Sequence, residues 1–242
     1  MASTIVLLHG FTHTGASWEP VTAALGTSYR SLAPEIRGHG RASGRQPVTL
    51  EAVIGDLDEL APASFTLVGY SMGGRIALHA ALALGERVRR LVLIGASPGI
   101  ADSAQRAARR AGDEQLADEI EREGVTIERF ARKWAQTPVL AGQPPPVAAA
   151  VHADRLRSTP AGLARALRGL GTGALEPLWN RLEDLQMPVT LVAGERDVKF
   201  RAIAEEMAPA IMAGEVVIVP VAGHAVHLEA PERTAAILAA GE

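Results

Sequence analysis

One serine lies in a sequence context that could make its hydroxyl reactive. Residues 69–75 read GYSMGGR, so that Ser71 has a glycine two positions before it and another two positions after it. An apolar run precedes this segment and a run of small, helix-forming residues follows it. Strand, sharp turn and helix around Gly-x-Ser-x-Gly indicate a nucleophile elbow, in which a strained serine exposes its hydroxyl at the end of a strand. The alternative is a serine that caps an ordinary strand–helix turn.

A serine hydroxyl needs an imidazole to accept its proton and a carboxylate to orient that imidazole. Asp197 and His224 each come just after an apolar, strand-like run. The carboxyl ends of parallel strands meet at one edge of a sheet, so these side chains can reach Ser71. Asp184 precedes its strand, and His227 lies three residues beyond His224. We therefore predict a catalytic triad of Ser71, Asp197 and His224, in that chain order.

A developing oxyanion also needs hydrogen-bond donors close to the serine. The backbone N–H that follows the nucleophile, at Met72, is one candidate. The loop after the first predicted strand, His9-Gly10-Phe11, supplies the other at the Phe11 N–H. We expect His9 to orient this loop through hydrogen bonds rather than to take part in the chemistry.

The elements that must position these residues alternate between strands and helices. Short and mostly apolar runs predict strands at 4–8, 29–33, 65–68, 89–94, 189–193 and 215–219. Such runs separated by helices predict an α/β fold with a mostly parallel sheet covered on both faces. Strand-like runs vanish between residues 100 and 173, where the periodicity is helical. We expect one domain, with a core of 1–99 and 174–242 and a helical cap of 100–173.

The predicted site has cationic and aromatic neighbours. Arg75 lies one helical turn after Ser71 in an apolar helix start, so it has a buried partner or awaits an anion. Tyr70 and Trp134 could line a pocket, although each is equally compatible with core packing. Lys199, two residues after Asp197, faces either the site or solvent.

Composition excludes several other classes of function. The chain has 242 residues, a formal net charge of -3 and no cysteine. This charge argues against a general nucleic-acid or membrane-surface role, and no apolar stretch is long enough to span a bilayer. The lack of thiols fits a cytoplasmic protein. No complete phosphate- or dinucleotide-binding motif and no metal-ligand spacing beyond His224 and His227 is present. We therefore expect no cofactor and no metal.

Several segments resemble one branch of the α/β-hydrolase superfamily. They are residues 8–11 (LHGF), 37–40 (RGHG), 69–75 (GYSMGGR), 97–100 (SPGI), 156–158 (LRS), 194–200 (GERDVKF) and 223–229 (GHAVHLE). Together they are similar to the 2-succinyl-6-hydroxy-2,4-cyclohexadiene-1-carboxylate synthase family of menaquinone biosynthesis. The resemblance implies substrate contacts at Arg75, Arg109 and Arg157, with Arg106 as the alternative to Arg109.

The resemblance implies an elimination rather than a hydrolysis. The family's substrate is 2-succinyl-5-enolpyruvyl-6-hydroxy-3-cyclohexene-1-carboxylate, a small anion from which a base removes a ring proton before pyruvate leaves. Ser71 would then be a general base that forms no acyl-enzyme. The alternative is a serine hydrolase, either a carboxylesterase or a carbon–carbon bond hydrolase, with the same triad. A non-catalytic binding module would be expected to have a broken triad. The oligomeric state stays open.

Overall fold

Six parallel strands form the sheet that carries the predicted site. The computed structural model describes residues 3–140 and 142–240. Within them the strands are β1 (Ser3–Leu8), β2 (Tyr29–Leu32), β3 (Phe65–Tyr70), β4 (Val88–Ile94), β5 (Val189–Gly194) and β6 (Gly214–Val219). Their order in the sheet is β2-β1-β3-β4-β5-β6. Every neighbouring pair is parallel, which confirms the predicted α/β sheet.

Helices cover both faces because successive side chains of each strand point to opposite sides. The helices outside the cap region are α1 (Glu19–Leu25), α2 (Leu50–Leu60), α3 (Met72–Leu84), α8 (Val198–Met207), α9 (Val226–Glu229) and α10 (Pro231–Ala239). Ile5 and Leu7 of β1 join a core cluster with Leu238 of α10. Val6 and Leu8 join the opposite cluster, which contains residues of α2, α3 and α8. Both faces of the sheet are therefore buried.

The region between β4 and β5 is helical, as predicted. It contains α4 (Ser103–Glu121), α5 (Ile127–Trp134), α6 (Pro145–Arg155) and α7 (Pro160–Leu170), with no strand among its described residues. Helices α4 and α7 pack against each other. Their cluster includes Ile120, Phe130 and Leu163, with Phe11 of the core packed beside it. The domain boundaries at residues 100 and 173 stay a prediction.

The sheet has its topological switch point between β1 and β3. Strand β2 lies on the outer side of β1, and Leu8 is in register with Gly69. Connections therefore leave these two strands in opposite directions and open a crevice at their carboxyl ends. Phe11 follows β1 and Ser71 follows β3, so the crevice lies between the two segments that sequence reasoning selected. Over the described residues, no helix has the length and apolarity that a membrane crossing requires.

Candidate active site

The turn between β3 and α3 holds Ser71 in a strained conformation. Its φ is 53° and its ψ is -109°, a region that residues with side chains rarely adopt. A Cβ added at Gly69 would lie 2.3 Å from the carbonyl oxygen of Gly73. One added at Gly73 would lie 2.4 Å from the carbonyl oxygen of Leu8. Both contacts are with backbone atoms, so Gly69 lets the end of β3 approach the start of α3, and Gly73 lets α3 approach the end of β1.

The structure brings Ser71, Asp197 and His224 into one hydrogen-bonded chain. His224 Nδ1 lies 2.6 Å from Asp197 Oδ2, and His224 Nε2 lies 3.2 Å from Ser71 Oγ. A carboxylate only accepts, so Nδ1–H donates to Asp197 and leaves Nε2 free to accept the Ser71 proton. Asp197 is fixed in turn because it caps α8, where its Oδ1 accepts the Phe200 N–H at 3.4 Å. This arrangement can deprotonate a serine hydroxyl.

A buried carboxylate holds the loop that carries His224. Glu229 accepts the N–H of Gly223 at 2.8 Å and that of Ala225 at 3.3 Å, one on each side of His224. It also accepts from Arg196 Nη2 at 2.9 Å. Since Arg196 adjoins Asp197, Glu229 connects the loop that carries Asp197 to the loop that carries His224. Sequence reasoning missed this role, although Glu229 closes one of the quoted motifs.

The two residues predicted to donate to an oxyanion both lie beside Ser71. Met72 is the first residue of α3, and the first N–H groups of a helix have no intrahelical acceptor. Phe11 and Met72 line the same cavity as Ser71. The loop of Phe11 is anchored by His9, whose Nε2 accepts the Ile36 N–H at 3.0 Å. His9 therefore contributes a structural hydrogen bond, as expected, and is fully buried away from the cavity.

A cavity of about 350 Å³ opens above Ser71 and His224. Its wall is largely apolar and includes residues from both the core and the cap region. Three cationic side chains interrupt it, those of Arg75, Arg109 and Lys199. None of the described residues that line it is acidic. The cavity therefore favours a ligand that combines an apolar body with negative charge.

Arg75 carries a charge that no described residue neutralises. It forms no ion pair with any described residue, and its Nε is buried without a hydrogen-bond partner. Burial lowers its pKa to about 10; repulsion from Arg109 contributes, and Asp113 partly opposes it. The guanidinium thus stays positive at neutral pH. A partly buried, unpaired cation in a cavity wall is a binding position for an anion.

Comparison with known proteins agrees with this geometry. The sequence pattern of the alpha/beta hydrolase family matches residues 5–237. A putative 2-succinyl-6-hydroxy-2,4-cyclohexadiene-1-carboxylate synthase from Bacillus subtilis is 37% identical over 238 residues, which cover 94% of this chain and 85% of that protein. The chain belongs to this synthase family of α/β-hydrolases.

Two further members of the synthase family extend the match. The synthase from Klebsiella pneumoniae subsp. pneumoniae is 31% identical, with 97% of this chain and 92% of that protein covered. The structure of MenH from S. aureus superimposes with a TM-score of 0.92 at 29% identity, over 99% of this chain and 93% of that one. The α/β-hydrolase fold expected from the motifs is therefore confirmed over nearly the whole chain.

The structure places three other predicted binding residues in the cavity wall. Arg109 reaches it while its Nε donates to Asp113 Oδ1 at 2.9 Å, one turn further along α4. Trp134 lines it with its ring edge-to-face on Phe11, at 5.1 Å between centroids. Lys199 also lines it. Their role in substrate binding stays a prediction, but their positions fit it.

Two predicted binding residues lie outside the cavity: Arg157, which the family resemblance implied, and Tyr70, for which core packing was the alternative. Arg157 is 60% exposed on its side chain and sits 3.6 Å from Asp154, in a separate surface pocket. Tyr70 ends β3 with its ring in the core, where it packs against His224 and His227 at 5.3 and 4.3 Å. Strand alternation turns Tyr70 into the core cluster that contains residues of α1 and α10, and Arg157 follows the end of α6. Neither lies in the lining of the cavity above Ser71.

Proposed function

We propose that this protein is a carbon–oxygen lyase. It eliminates pyruvate from 2-succinyl-5-enolpyruvyl-6-hydroxy-3-cyclohexene-1-carboxylate to give 2-succinyl-6-hydroxy-2,4-cyclohexadiene-1-carboxylate, in menaquinone biosynthesis. The observation that carries the proposal is a serine–histidine–aspartate chain beneath a cavity whose described charged lining is entirely cationic. Membership of the synthase family supports the same reaction. The cysteine-free chain fits an enzyme that works in the cytoplasm.

The first step is removal of a proton from carbon. His224 Nε2 takes the Ser71 proton, while Asp197 holds the imidazole in orientation and stabilises the imidazolium. The Ser71 oxygen then removes the ring proton α to the succinyl ketone, as a general base. The electron pair of the broken C–H bond moves onto the ketone oxygen. The N–H groups of Phe11 and Met72 donate to this enolate oxygen, which carries more negative charge than the ketone it came from.

The second step is departure of the leaving group. The enolate re-forms its carbonyl, and its electron pair makes a ring double bond at the carbon that lost the proton. The existing ring double bond shifts by one position, and the bond between the ring carbon and the enolpyruvyl oxygen breaks. The leaving oxygen takes the proton that His224 Nε2 received from Ser71, and the resulting enol tautomerises to pyruvate. No acyl-enzyme is formed, because no carbonyl carbon is attacked by Ser71. Water is not a reactant, so the largely apolar wall of the cavity suits the reaction.

Charge matching explains why a hydrolase fold serves this substrate. The substrate carries three carboxylates, and the cavity presents Arg75, Arg109 and Lys199. Guanidinium groups bind carboxylates through paired, charge-assisted hydrogen bonds. An esterase for neutral esters has no use for an unpaired, half-buried arginine one helical turn beyond its nucleophile.

The test is pyruvate release from the enolpyruvyl substrate, made in situ by the enzyme that precedes this step. We expect release far above the spontaneous rate, loss of most of it in Ser71→Ala, and no covalent adduct on Ser71 by intact-protein mass spectrometry during turnover. The proposal would be overturned if wild-type enzyme released no pyruvate above background while it hydrolysed p-nitrophenyl acetate. That result would make the protein a serine hydrolase.

A further inference from the structure

Two consecutive residues at the end of α6 form hydrogen bonds with the loop that carries Phe11. Asp154 and Arg155 are buried although they belong to the cap region. Asp154 Oδ2 accepts the backbone N–H of Thr14 at 2.9 Å, and its Oδ1 accepts the Thr14 hydroxyl at 2.5 Å. His13 Nδ1 lies 3.5 Å from the same carboxylate. One side chain of the cap region thus fixes both the backbone and the side chain of a core loop.

Arg155 holds a second point of the same loop. Its Nε donates to the Thr12 hydroxyl at 3.2 Å. Thr12 has a φ of 70°, which is unfavourable for a β-branched residue. Strained residues persist only where their surroundings determine the conformation. Arg155 is one such determinant, since it is 2% exposed and its guanidinium is directed at the strained residue.

The residues that Asp154 and Arg155 contact come directly after Phe11, the proposed oxyanion donor, in the chain. The His13 N–H donates to the Gly10 carbonyl at 3.2 Å and closes a four-residue turn. Phe11 and Thr12 are the two central residues of that turn, so contacts that hold Thr12 and Thr14 also hold the turn whose first peptide, Gly10–Phe11, carries the Phe11 N–H. Neither Asp154 nor Arg155 lines the cavity above Ser71. They therefore do not contact a ligand held above Ser71, and their contacts with Thr12 and Thr14 are the route by which they act on the Phe11 loop.

The carboxylate in this arrangement is charged. Burial raises the pKa of Asp154, but neighbouring His13 and the hydrogen bonds from Thr14 outweigh it and bring the pKa to about 2. Arg155 keeps one buried Nη2 without a partner. Buried charges of this kind contribute little net stability, because apolar residues of similar size stabilise a protein as well or better. Their placement on a strained functional loop is better explained by positioning.

We propose that Asp154 and Arg155 are positioning residues, through which the cap sets the direction of the Phe11 N–H in the oxyanion hole. This inference rests on the proposed function, in which that N–H binds the enolate oxygen. It adds a coupling between two parts of the chain that are 140 residues apart. Substrate that orders the cap would thereby also order the oxyanion hole.

The test compares variants of two buried contacts between the cap region and the core. We expect Asp154→Ala to lower kcat for pyruvate release by about tenfold to a hundredfold, the effect of a misplaced catalytic group, with KM within threefold of wild type. The kcat of Asp154→Asn should lie between those of wild type and Asp154→Ala. Its amide oxygen can still accept one hydrogen bond from Thr14, whereas its NH₂ group cannot accept the other. Ser158→Ala is the matched control. Ser158 is also buried and accepts the Gly40 N–H at 3.1 Å, and among the described residues its hydroxyl has no hydrogen bond to the Phe11 loop.

Hydrogen–deuterium exchange measures whether the Phe11 loop is held in place, and it does so without substrate. The backbone amides of residues 11–17 should exchange faster than in wild type in both Asp154 variants. In Ser158→Ala their exchange rates should equal those of wild type. A wild-type enzyme that releases no pyruvate would refute the proposed function, and the exchange data would still decide whether the loop is held. Should the alanine variant not fold, the asparagine variant carries the test. Unchanged kcat and unchanged loop exchange in folded Asp154→Asn, or an equal loss of kcat in Ser158→Ala, would overturn the inference.

Discussion

The unpaired charge of Arg75 destabilises the fold, which indicates that this residue is there to bind an anion. Its guanidinium is half-buried, its Nε has no hydrogen-bond partner, and no described residue forms an ion pair with it. A desolvated, unpaired charge destabilises the unliganded protein. The position makes physical sense when a carboxylate of the substrate completes it.

We expect Arg75→Met to raise or leave unchanged the melting temperature, because it removes a desolvated charge and keeps a long apolar stem. The same change should lower kcat/KM for pyruvate release by about tenfold to a hundredfold, since a hydrogen bond to a charged group contributes about 1.5–3 kcal/mol. Thermal denaturation and steady-state kinetics on the same preparation measure both effects.

Arg168→Met is the control, in which we expect the opposite effects on melting temperature and turnover. Arg168 lies outside the cavity and is bonded to Glu114, Asp118 and Glu121. Its loss should lower the melting temperature and leave turnover unchanged. An Arg75→Met protein that lost stability but kept full turnover would show that Arg75 is a structural residue.

At the scale of elements, the elbow depends on how closely α3 approaches β1. An alanine at Gly73 would place its Cβ 2.4 Å from the Leu8 carbonyl oxygen, so α3 must move away from the sheet. We expect Gly73→Ala to lower the free energy of unfolding by at least about 2 kcal/mol, as overpacking does. Gly112→Ala, within α4 and with no atom near the added Cβ, should instead raise it by about 0.5–1 kcal/mol. Urea denaturation measures both; equal effects would contradict the argument.

Glu229 links the two loops that carry Asp197 and His224. Glu229→Ala frees the N–H groups on both sides of His224 and releases Arg196. We expect kcat for pyruvate release to fall by about tenfold or more, because small displacements of a catalytic group are costly. Glu229→Gln should recover part of it. Glu232→Ala, an exposed carboxylate at the start of α10, should leave kcat unchanged, and a similar fall there would indicate a general effect of lost charge.

At the scale of the whole molecule, buried histidines tie stability to pH. His9, His13, His39 and His227 are all buried. Burial lowers the pKa of each below its ordinary value of 6.5, to about 4 for His9. The unfolded chain therefore binds more protons than the folded one below pH 6.5. Stability is fully present above that pH and is lost as the pH falls towards 4.

Urea denaturation at pH 7, 5.5 and 4.5 measures this loss. We expect the free energy of unfolding to decrease steadily over that series, and to decrease less in His227→Leu, which removes a buried histidine whose ring nitrogens have no partner. Equal pH dependence in the wild-type and variant proteins would mean that other groups govern acid stability.

The sequence predicts most strands and the meeting of Ser71, Asp197 and His224 for related reasons. Apart from β2, which contains Arg30 and Ser31, the strands are largely apolar runs. Ser71, Asp197 and His224 each follow a strand, so the parallel sheet brings them to one edge; their catalytic roles stay a prediction. The contacts of Glu229, Asp154 and Arg155 were not predictable, because they join loops that only the folded chain brings together. Arg157 shows the same limit. Its spacing in the chain does not reveal that, two residues beyond the end of α6, its side chain lies beside Asp154 rather than in the cavity.

The most direct test of the account compares two reactions of one wild-type preparation. We would measure kcat/KM for pyruvate release from the enolpyruvyl substrate and kcat/KM for hydrolysis of p-nitrophenyl acetate, under identical conditions. The account predicts that pyruvate release is faster by about a thousandfold or more, because the cavity's cations and the oxyanion donors act together only on the anionic substrate. Ester hydrolysis that equalled or exceeded pyruvate release would contradict the lyase and identify a hydrolase with the same triad.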